Sequence, residues 1–328
     1  MIKVNHLTKK YGNHTAVSDL TFSIEKGKIY GFLGPNGAGK STTMNIMTGC
    51  LSATSGEVLI EGYDIFEDAE KAKKLIGYLP EHPPLYMDRT PREYLTFVAK
   101  AKGISKAELK QQIEHAMSVT QITDVADRLI KNLSKGYKQR VGIAQALLGH
   151  PEVIILDEPT VGLDPKQIIE IRDLIQSLGK EHTVILSSHI LSEVRAVCQT
   201  ILIISKGKLV ACDTPEHLEK RFTGSSTVEL VVEATEEEAR SSLSSIHKIK
   251  KATYQTLPPD QLKITLELDG KEDICKELFF AFCAIKRPIL QMTTTTASLE
   301  DIFIELTSNN TQSSGTSHES HSINKEAN

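Results

Sequence analysis

Gly34-Pro35-Asn36-Gly37-Ala38-Gly39-Lys40-Ser41-Thr42 is a glycine-rich stretch that ends in a cation and two hydroxyls, and it matches G-x-x-x-x-G-K-S at Gly34, Gly39, Lys40 and Ser41. Glycines lack a Cβ, so the N–H groups of such a loop curl inward and approach a phosphate closely. A helix opening near Lys40 adds unpaired N–H donors and the positive end of its dipole. In this pattern Lys40 reaches the β- and γ-phosphates of a nucleotide and Ser41 ligates Mg²⁺. The plain alternative is a strand-to-helix turn without a ligand. The apolar strand Ile29–Leu33 before the loop and the helix expected after it argue for the phosphate.

Further along, Val153-Ile154-Ile155-Leu156 runs directly into Asp157-Glu158. Four consecutive apolar, mostly β-branched residues suit a central parallel strand covered on both faces. Acids at the C-terminal end of such a strand lie where open α/β sheets bind ligands. Asp157 suits a Mg²⁺ site, and Glu158 suits a residue that orients or deprotonates water. A further strand over 184–186 ends at Ser187-Ser188-His189.

These groups need a scaffold, and 328 residues are enough for two domains. With 38 basic and 42 acidic residues the net charge is -4, which gives no sign of a nucleic-acid binder. No apolar run approaches a membrane span, and residues 1–5 lack the apolar segment of a signal peptide. The five cysteines form no C-x-x-C pair and read as small buried hydrophobes of a reducing compartment.

Residues 2–24 alternate as half-buried strands, with Ile2, Val4 and His6 on one face and a turn at Gly12-Asn13. Tyr11 precedes that turn and reads locally as a turn aromatic, with adenine stacking as the alternative. Ser55-Gly56-Glu57 reads as a turn into a strand at Val58-Leu59-Ile60, and Ile76–Leu79 as another short strand. Pro80-Glu81-His82-Pro83-Pro84 breaks regular structure. Thr90-Pro91-Arg92-Glu93 and Ser105-Lys106-Ala107-Glu108 are capping boxes, so residues 85–150 read as a helical insert. Leu85, Tyr86 and Met87 either pack under that insert or line an exposed groove. Asp164-Pro165 opens another helix, and Thr200–Ser205 pairs with 208–211 around Lys206-Gly207.

Composition shifts near 222–226. Beyond it, strands at 228–232, 248–257, 262–268 and 289–295 and helices at 235–243 and 274–284 give the order βαββαβ, with a closing helix at 299–306. That order predicts a small α+β domain of ferredoxin-like type. The expected fold is an α/β phosphate-loop nucleotidase core with an antiparallel β subdomain and a helical insert, followed by this domain. The expected boundaries are 1–222 and 227–306, with a disordered tail at 307–328 in which His318 and His321 read as solvated, metal binding being the alternative.

Residues 132–140, Asn132-Leu133-Ser134-Lys135-Gly136-Tyr137-Lys138-Gln139-Arg140, resemble the signature of the ATP-binding cassette (ABC) family, whose usual form is L-S-G-G-Q. Tyr11, the acid pair, Val161-Gly162-Leu163-Asp164 and His189 stand in the family's order, and the resemblance covers about residues 1–220. It implies that adenine stacks on Tyr11 and that ATP binds the 34–42 loop. It implies Mg²⁺ on Ser41 and Asp157 with Glu81 nearby, and catalysis by Glu158, His189 and Lys40. It also implies that Ser134, Lys135 and Gly136 face an ATP held by an opposite subunit, with Asp164 in the adjoining loop. Physically, Ser134 is a helix N-cap that aims a positive helix end at a phosphate, and Lys135 adds a formal charge there.

Lys135 and Tyr137 depart from the usual signature, and Glu81 stands where the family usually has Gln. These variants, and Ser298-Leu299-Glu300-Asp301-Ile302-Phe303, look like the exporter-type branch whose membrane partners are separate chains. The implied function is the ATPase subunit of a transporter, peripheral at the cytoplasmic face of the membrane. The implied partners are a separately encoded polytopic membrane subunit, docked at the 81–87 groove, and a second copy of the chain or a similar one. No nucleic acid is expected. The rival readings are a soluble cassette ATPase acting on ribosomes or DNA, which would usually carry tandem cassettes or a coiled-coil insertion, and a binding module switched by ATP.

Overall fold

The computed structural model describes residues 1–222, 226–258, 260–268 and 274–296. The chain opens with strands β1 (Ile2–Tyr11), β2 (His14–Ile24) and β3 (Ile29–Leu33), then helix α1 (Lys40–Met47). Strands β4 (Ser55–Ile60) and β5 (Tyr63–Asp64), helix α2 (Ala69–Lys74) and strand β6 (Ile76–Leu79) follow. Helices α3 (Pro91–Ala101), α4 (Lys106–Val119) and α5 (Lys135–Leu147) form the insert. After it come β7 (Val153–Leu156), α6 (Pro165–Leu178), β8 (Thr183–Ser188), α7 (Leu191–Val197), β9 (Thr200–Ser205), β10 (Lys208–Asp213) and α8 (Pro215–Phe222). The last part holds β11 (Ser226–Val232), α9 (Glu236–Leu243), β12 (Ile249–Leu257), β13 (Gln261–Leu268), α10 (Cys275–Ala284) and β14 (Ile289–Thr296).

The central sheet has the order β10-β9-β3-β8-β7-β6. From β9 to β6 its strands are parallel, and β10 adds an antiparallel edge. Period-two alternation sends the faces of this sheet into two cores. Ile154 and Leu156 join Leu33, Leu186 and the insert helices, whereas Val153 and Ile155 join Phe32, Leu202 and the antiparallel sheet β2-β1-β4-β5. The uninterrupted apolar run of β7 is therefore a strand buried on both faces, as its sequence suggests. Within the insert, Thr90 and Glu93 exchange both hydrogen bonds of a capping box at α3, and the Ser105 hydroxyl accepts from Glu108 N at α4. Ile113 and Met117 are buried on the core face of α4, with Leu109 partly buried.

The third sheet, β12-β13-β11-β14, is antiparallel throughout and gives the βαββαβ unit its ferredoxin-like topology. Its buried side meets Ala239 and Leu243 of α9 and Leu278 and Phe282 of α10 in a core of its own. The closing helix expected at 299–306, the 307–328 tail and His318 and His321 lie outside the described residues.

Several local expectations are corrected. His6 does not share a face with Ile2 and Val4. It sits at φ 49° where the β1–β2 register shifts, and this bulge turns Leu7 inward in its place. Ser55, Gly56 and Glu57 belong to β4, because Ser55 pairs with Thr8 and Glu57 with Asn5 of β1. Only Cys198 of the five free cysteines is buried, while Cys50, Cys212 and Cys283 are exposed and Cys275 is half-buried. Strand β5 and helices α2, α7 and α8 are additional; the first three are short elements whose placement depends on packing more than on periodicity.

Candidate functional site

The parallel sheet gathers the chemistry at one edge. Gly34 follows β3, Asp157 follows β7, His189 follows β8 and Glu81 follows β6 by one residue, so all four leave the C-terminal ends of neighbouring strands. The loop after β3 is held by close backbone contacts. A Cβ on Gly34 would lie 2.3 Å from the Ile204 carbonyl oxygen, and one on Gly39 would lie 2.6 Å from that of Ala16. Gly39 also has φ +103°, in the left-handed region that favours glycine. It precedes α1 without a side-chain cap, and the first turn holds no acid. The donors of that turn are not taken by a capping side chain, as an anion site at a helix N-terminus requires.

A cleft of about 480 Å³ is lined by Tyr11, by Asn36, Gly37, Ala38, Gly39, Lys40, Ser41 and Thr42, and by Glu81, Glu158 and His189. Gly34 and Pro35 complete the loop, and their carbonyl oxygens accept from Lys40 Nζ at 2.8 and 3.4 Å. The same amine lies 3.5 Å from Glu158 Oε1. Glu158 Oε2 in turn lies 3.0 Å from His189 Nδ1. Asp157, almost fully buried, accepts from Ser187 Oγ at 2.5 Å and from Ser41 Oγ at 3.2 Å. Burial pushes its carboxyl up from the ordinary range, and the two hydroxyl bonds oppose that shift. The Ser41 hydroxyl and the Asp157 carboxylate thus meet beside the loop. This pair of hard oxygens fits Mg²⁺, which takes few protein ligands and completes its octahedron with water and phosphate.

Glu158 has φ 49°, a left-handed conformation that strains a residue with a side chain. The surrounding structure holds it there: its N–H donates to Ser187 Oγ at 2.8 Å, the same hydroxyl that donates to Asp157. Ser187 was not singled out by the sequence patterns. The parallel register Leu156↔Leu186 puts it beside Asp157, so a known β7–β8 pairing would have found it. His14, Ala16 and Val161 also line the cleft. Tyr11 is half exposed at the rim, with Lys9 Nζ 5.2 Å from its ring centroid.

The signature residues are elsewhere. Ser134 and Gly136 line a second cleft of about 440 Å³ with Tyr137, Arg140, Asp164 and Gln167. The Ser134 hydroxyl caps α5 by accepting from Tyr137 N at 3.4 Å, and Asp164 caps α6 by accepting from Gln167 N at 2.9 Å. The Lys135 amine lies against Gly162, in the loop that leads to Asp164. One chain therefore does not bring its signature onto its own phosphate loop.

Residues 17–161 match a family model described as ABC transporter. The chain is 33% identical over 308 residues to the linearmycin resistance ATP-binding protein LnrL of Bacillus subtilis, covering 94% of this chain and 98% of that protein. It is 43% identical to the bacitracin transport ATP-binding protein BcrA of Bacillus licheniformis over 67% of this chain and 72% of that protein. A solved ATP-binding subunit of an ABC transporter superposes with a TM-score of 0.61 and 30% identity, over 68% of this chain and 93% of that one. A dimeric post-hydrolysis structure of the cassette MJ0796 with ADP and Pi gives 0.59 at 26% identity, over 65% and 98%. With its phosphate loop, acid pair and signature in one fold, the chain belongs to the ABC transporter family, as an ATP-binding and ATP-hydrolysing subunit that drives transport.

Proposed function

We propose that the chain works in a pair, that each phosphate-loop cleft is completed by the signature helix of the other chain, and that the pair powers export through a separately encoded membrane subunit. The observation that carries this reading is the placement of the loop and the signature in different clefts of one chain. The MJ0796 cassette, solved as a dimer with ADP and Pi, supports the pairing. Relatives named for linearmycin resistance, bacitracin transport and lantibiotic transport support the direction.

In this account adenine stacks on Tyr11 and the triphosphate lies in the 34–42 loop. Lys40 and His189 of one chain, with Ser134, Lys135 and Gly136 of the other, neutralise charge on the γ-phosphate. Glu158 orients water in line with the γ-phosphorus. It accepts a water proton as the new O–P bond forms and ADP leaves with the bridging oxygen. Mg²⁺, when held by Ser41 and Asp157 with Glu81 nearby, would supply neutralisation of the β- and γ-oxygens. Asp164 fixes the start of α6 and so the loop behind the acid pair.

The 81–87 segment carries the coupling. Leu85 packs onto the core, but Tyr86 and Met87 are exposed, and the ring of exposed Phe97 lies 5.2 Å from that of Tyr86, centroid to centroid. This mixture favours a docking face for a cytoplasmic helix of the membrane subunit over simple packing under the insert. A Cβ on Gly142 of α5 would lie 2.5 Å from Leu79 Cδ1 and 3.3 Å from Pro83 Cγ, so the signature helix rests on the segment that bears Glu81. No helix among the described residues is long and apolar enough to cross a membrane, and the proposed place of the chain is peripheral, at the cytoplasmic face. The proposed domains are 1–222, with the insert at about 85–150, and 227–306. Purification of the tagged chain from membranes tests this reading: a polytopic chain should co-purify, and association with ribosomes or DNA in its place would contradict it.

A further inference from the structure

Two residues beyond Glu158, Thr160 is buried. One residue before His189, Ser188 is buried as well. Both hydroxyls point at the same atom. Thr160 Oγ1 donates to Glu193 Oε2 at 2.5 Å, and Ser188 Oγ donates to it at 3.0 Å. Ser188 Oγ also accepts from Ile190 N at 3.0 Å, on the far side of His189. Glu193 lies in the first turn of α7 and is 5% exposed, so an ionisable group has been taken out of water at this point. Burial of a carboxylate is costly unless its oxygens are hydrogen-bonded, and bonds to an ionised oxygen are about twice as strong as neutral ones.

We propose that Glu193 is a positioning residue for the hydrolysis centre: its carboxylate clamps the segment that follows Glu158 to the segment that carries His189. Ser187 ties the two strand ends together before the pair, through Asp157 and Glu158 N. Glu193 ties them together after it. Between these two links the carboxylate of Glu158 and the ring of His189 are left 3.0 Å apart. The clamp deepens the reading of Glu158 and His189 given above and rests on it. Glu193 itself touches neither of them through a hydrogen bond, so its effect is on their mutual geometry.

The test is steady-state ATP hydrolysis by the full chain, with ATP affinity and thermal midpoint measured on the same samples. Glu193→Ala should lower kcat about tenfold or more while KM stays within about twofold, because small misplacements of reacting groups cost rate more than binding. Glu193→Gln keeps an oxygen acceptor of the same shape and should recover most of the loss. In a Glu158→Gln background, Glu193→Ala should add less than about a twofold further loss, since residues that act as a unit are not additive. Wild-type kcat in Glu193→Ala, with Glu158→Gln slow, would overturn the clamp alone; so would an equal fractional loss in both backgrounds. Wild-type turnover in Glu158→Gln would overturn the assignment of the acid and the clamp with it. Should Glu193→Ala fail to fold, Thr160→Val and Ser188→Ala each remove one donor to the same oxygen. A fall in kcat at constant KM supports the clamp, and unchanged kcat in both overturns it.

Discussion

Lys40 Nζ lies 3.5 Å from Glu158 Oε1, with both side chains almost wholly buried. The amine also donates to the Gly34 carbonyl oxygen at 2.8 Å. The amine of the glycine-rich loop is thus engaged with Glu158, and in the proposed mechanism an arriving γ-phosphate competes with that carboxylate for it. Lys40→Met removes charge-assisted hydrogen bonds worth about 1.5–3 kcal/mol each, and about 1.4 kcal/mol is a factor of ten. ATP affinity is expected to fall about tenfold or more with far-UV circular dichroism unchanged. Equilibrium titration with a fluorescent ATP analogue checks this, and wild-type affinity would contradict it.

A chain ending at Phe222 should fold and bind ATP with the affinity of the full chain. The βαββαβ unit has a hydrophobic core of its own, built from β11, β13, α9 and α10, while the residues that line the phosphate cleft all precede it. Nucleotide binding and thermal unfolding of the shortened chain are the measurements. Loss of either would make the last part of the chain integral to the ATPase fold.

Tyr86→Asp is expected to weaken assembly with the membrane subunit and to leave ATP binding by the isolated chain unchanged. Tyr86 is 45% exposed, and its ring meets Tyr94 edge-on at 5.6 Å, so a charge there is solvated until a partner covers it. Co-purification from membranes reads the first effect. Failure to fold would assign Tyr86 to the core, and normal assembly would place the docking face elsewhere.

Lys102 sets a pH dependence. It is an exposed residue whose amine donates to the Leu148 carbonyl oxygen at 2.7 Å, a partly buried hydrogen bond. Burial of the amine pushes its pKa down to about 8 from an ordinary 10.5. Between those values the unfolded chain keeps a proton that the folded chain has released, so this group makes stability rise with pH across that window. Below about 8 the fold carries the buried charge at a cost. The rise in urea midpoint from about pH 7.5 to about pH 9.5 should be smaller in Lys102→Met than in wild type. Equal rises would show that Lys102 is not buried as described.

Much of this was legible in local chemistry. The phosphate loop, the acid pair and the caps Thr90, Ser134 and Asp164 are patterns whose physics is complete within a few residues, and they appear where the sequence puts them. What was not legible depends on contacts between strands. Ser187 becomes a ligand of Asp157 only because β7 and β8 are neighbours in parallel register, and Glu193 reaches Thr160 across the same pair. His6 leaves the buried face of β1 because of a bulge that alternation alone does not mark. The exposure of Cys50, Cys212 and Cys283 follows from which faces other elements cover, and composition does not carry that information.

The central claim, that Glu158 drives hydrolysis in a site shared by two chains, is tested most directly by the mass of Glu158→Gln in solution with ATP and Mg²⁺. The amide keeps the shape of the side chain but neither takes a proton nor carries charge, so ATP should bind and persist while turnover falls by about 10²–10⁴-fold. Light scattering should then show a dimer that forms with ATP and separates when ATP is removed. A variant that stays monomeric with ATP bound, or that hydrolyses ATP at the wild-type rate, would contradict the account.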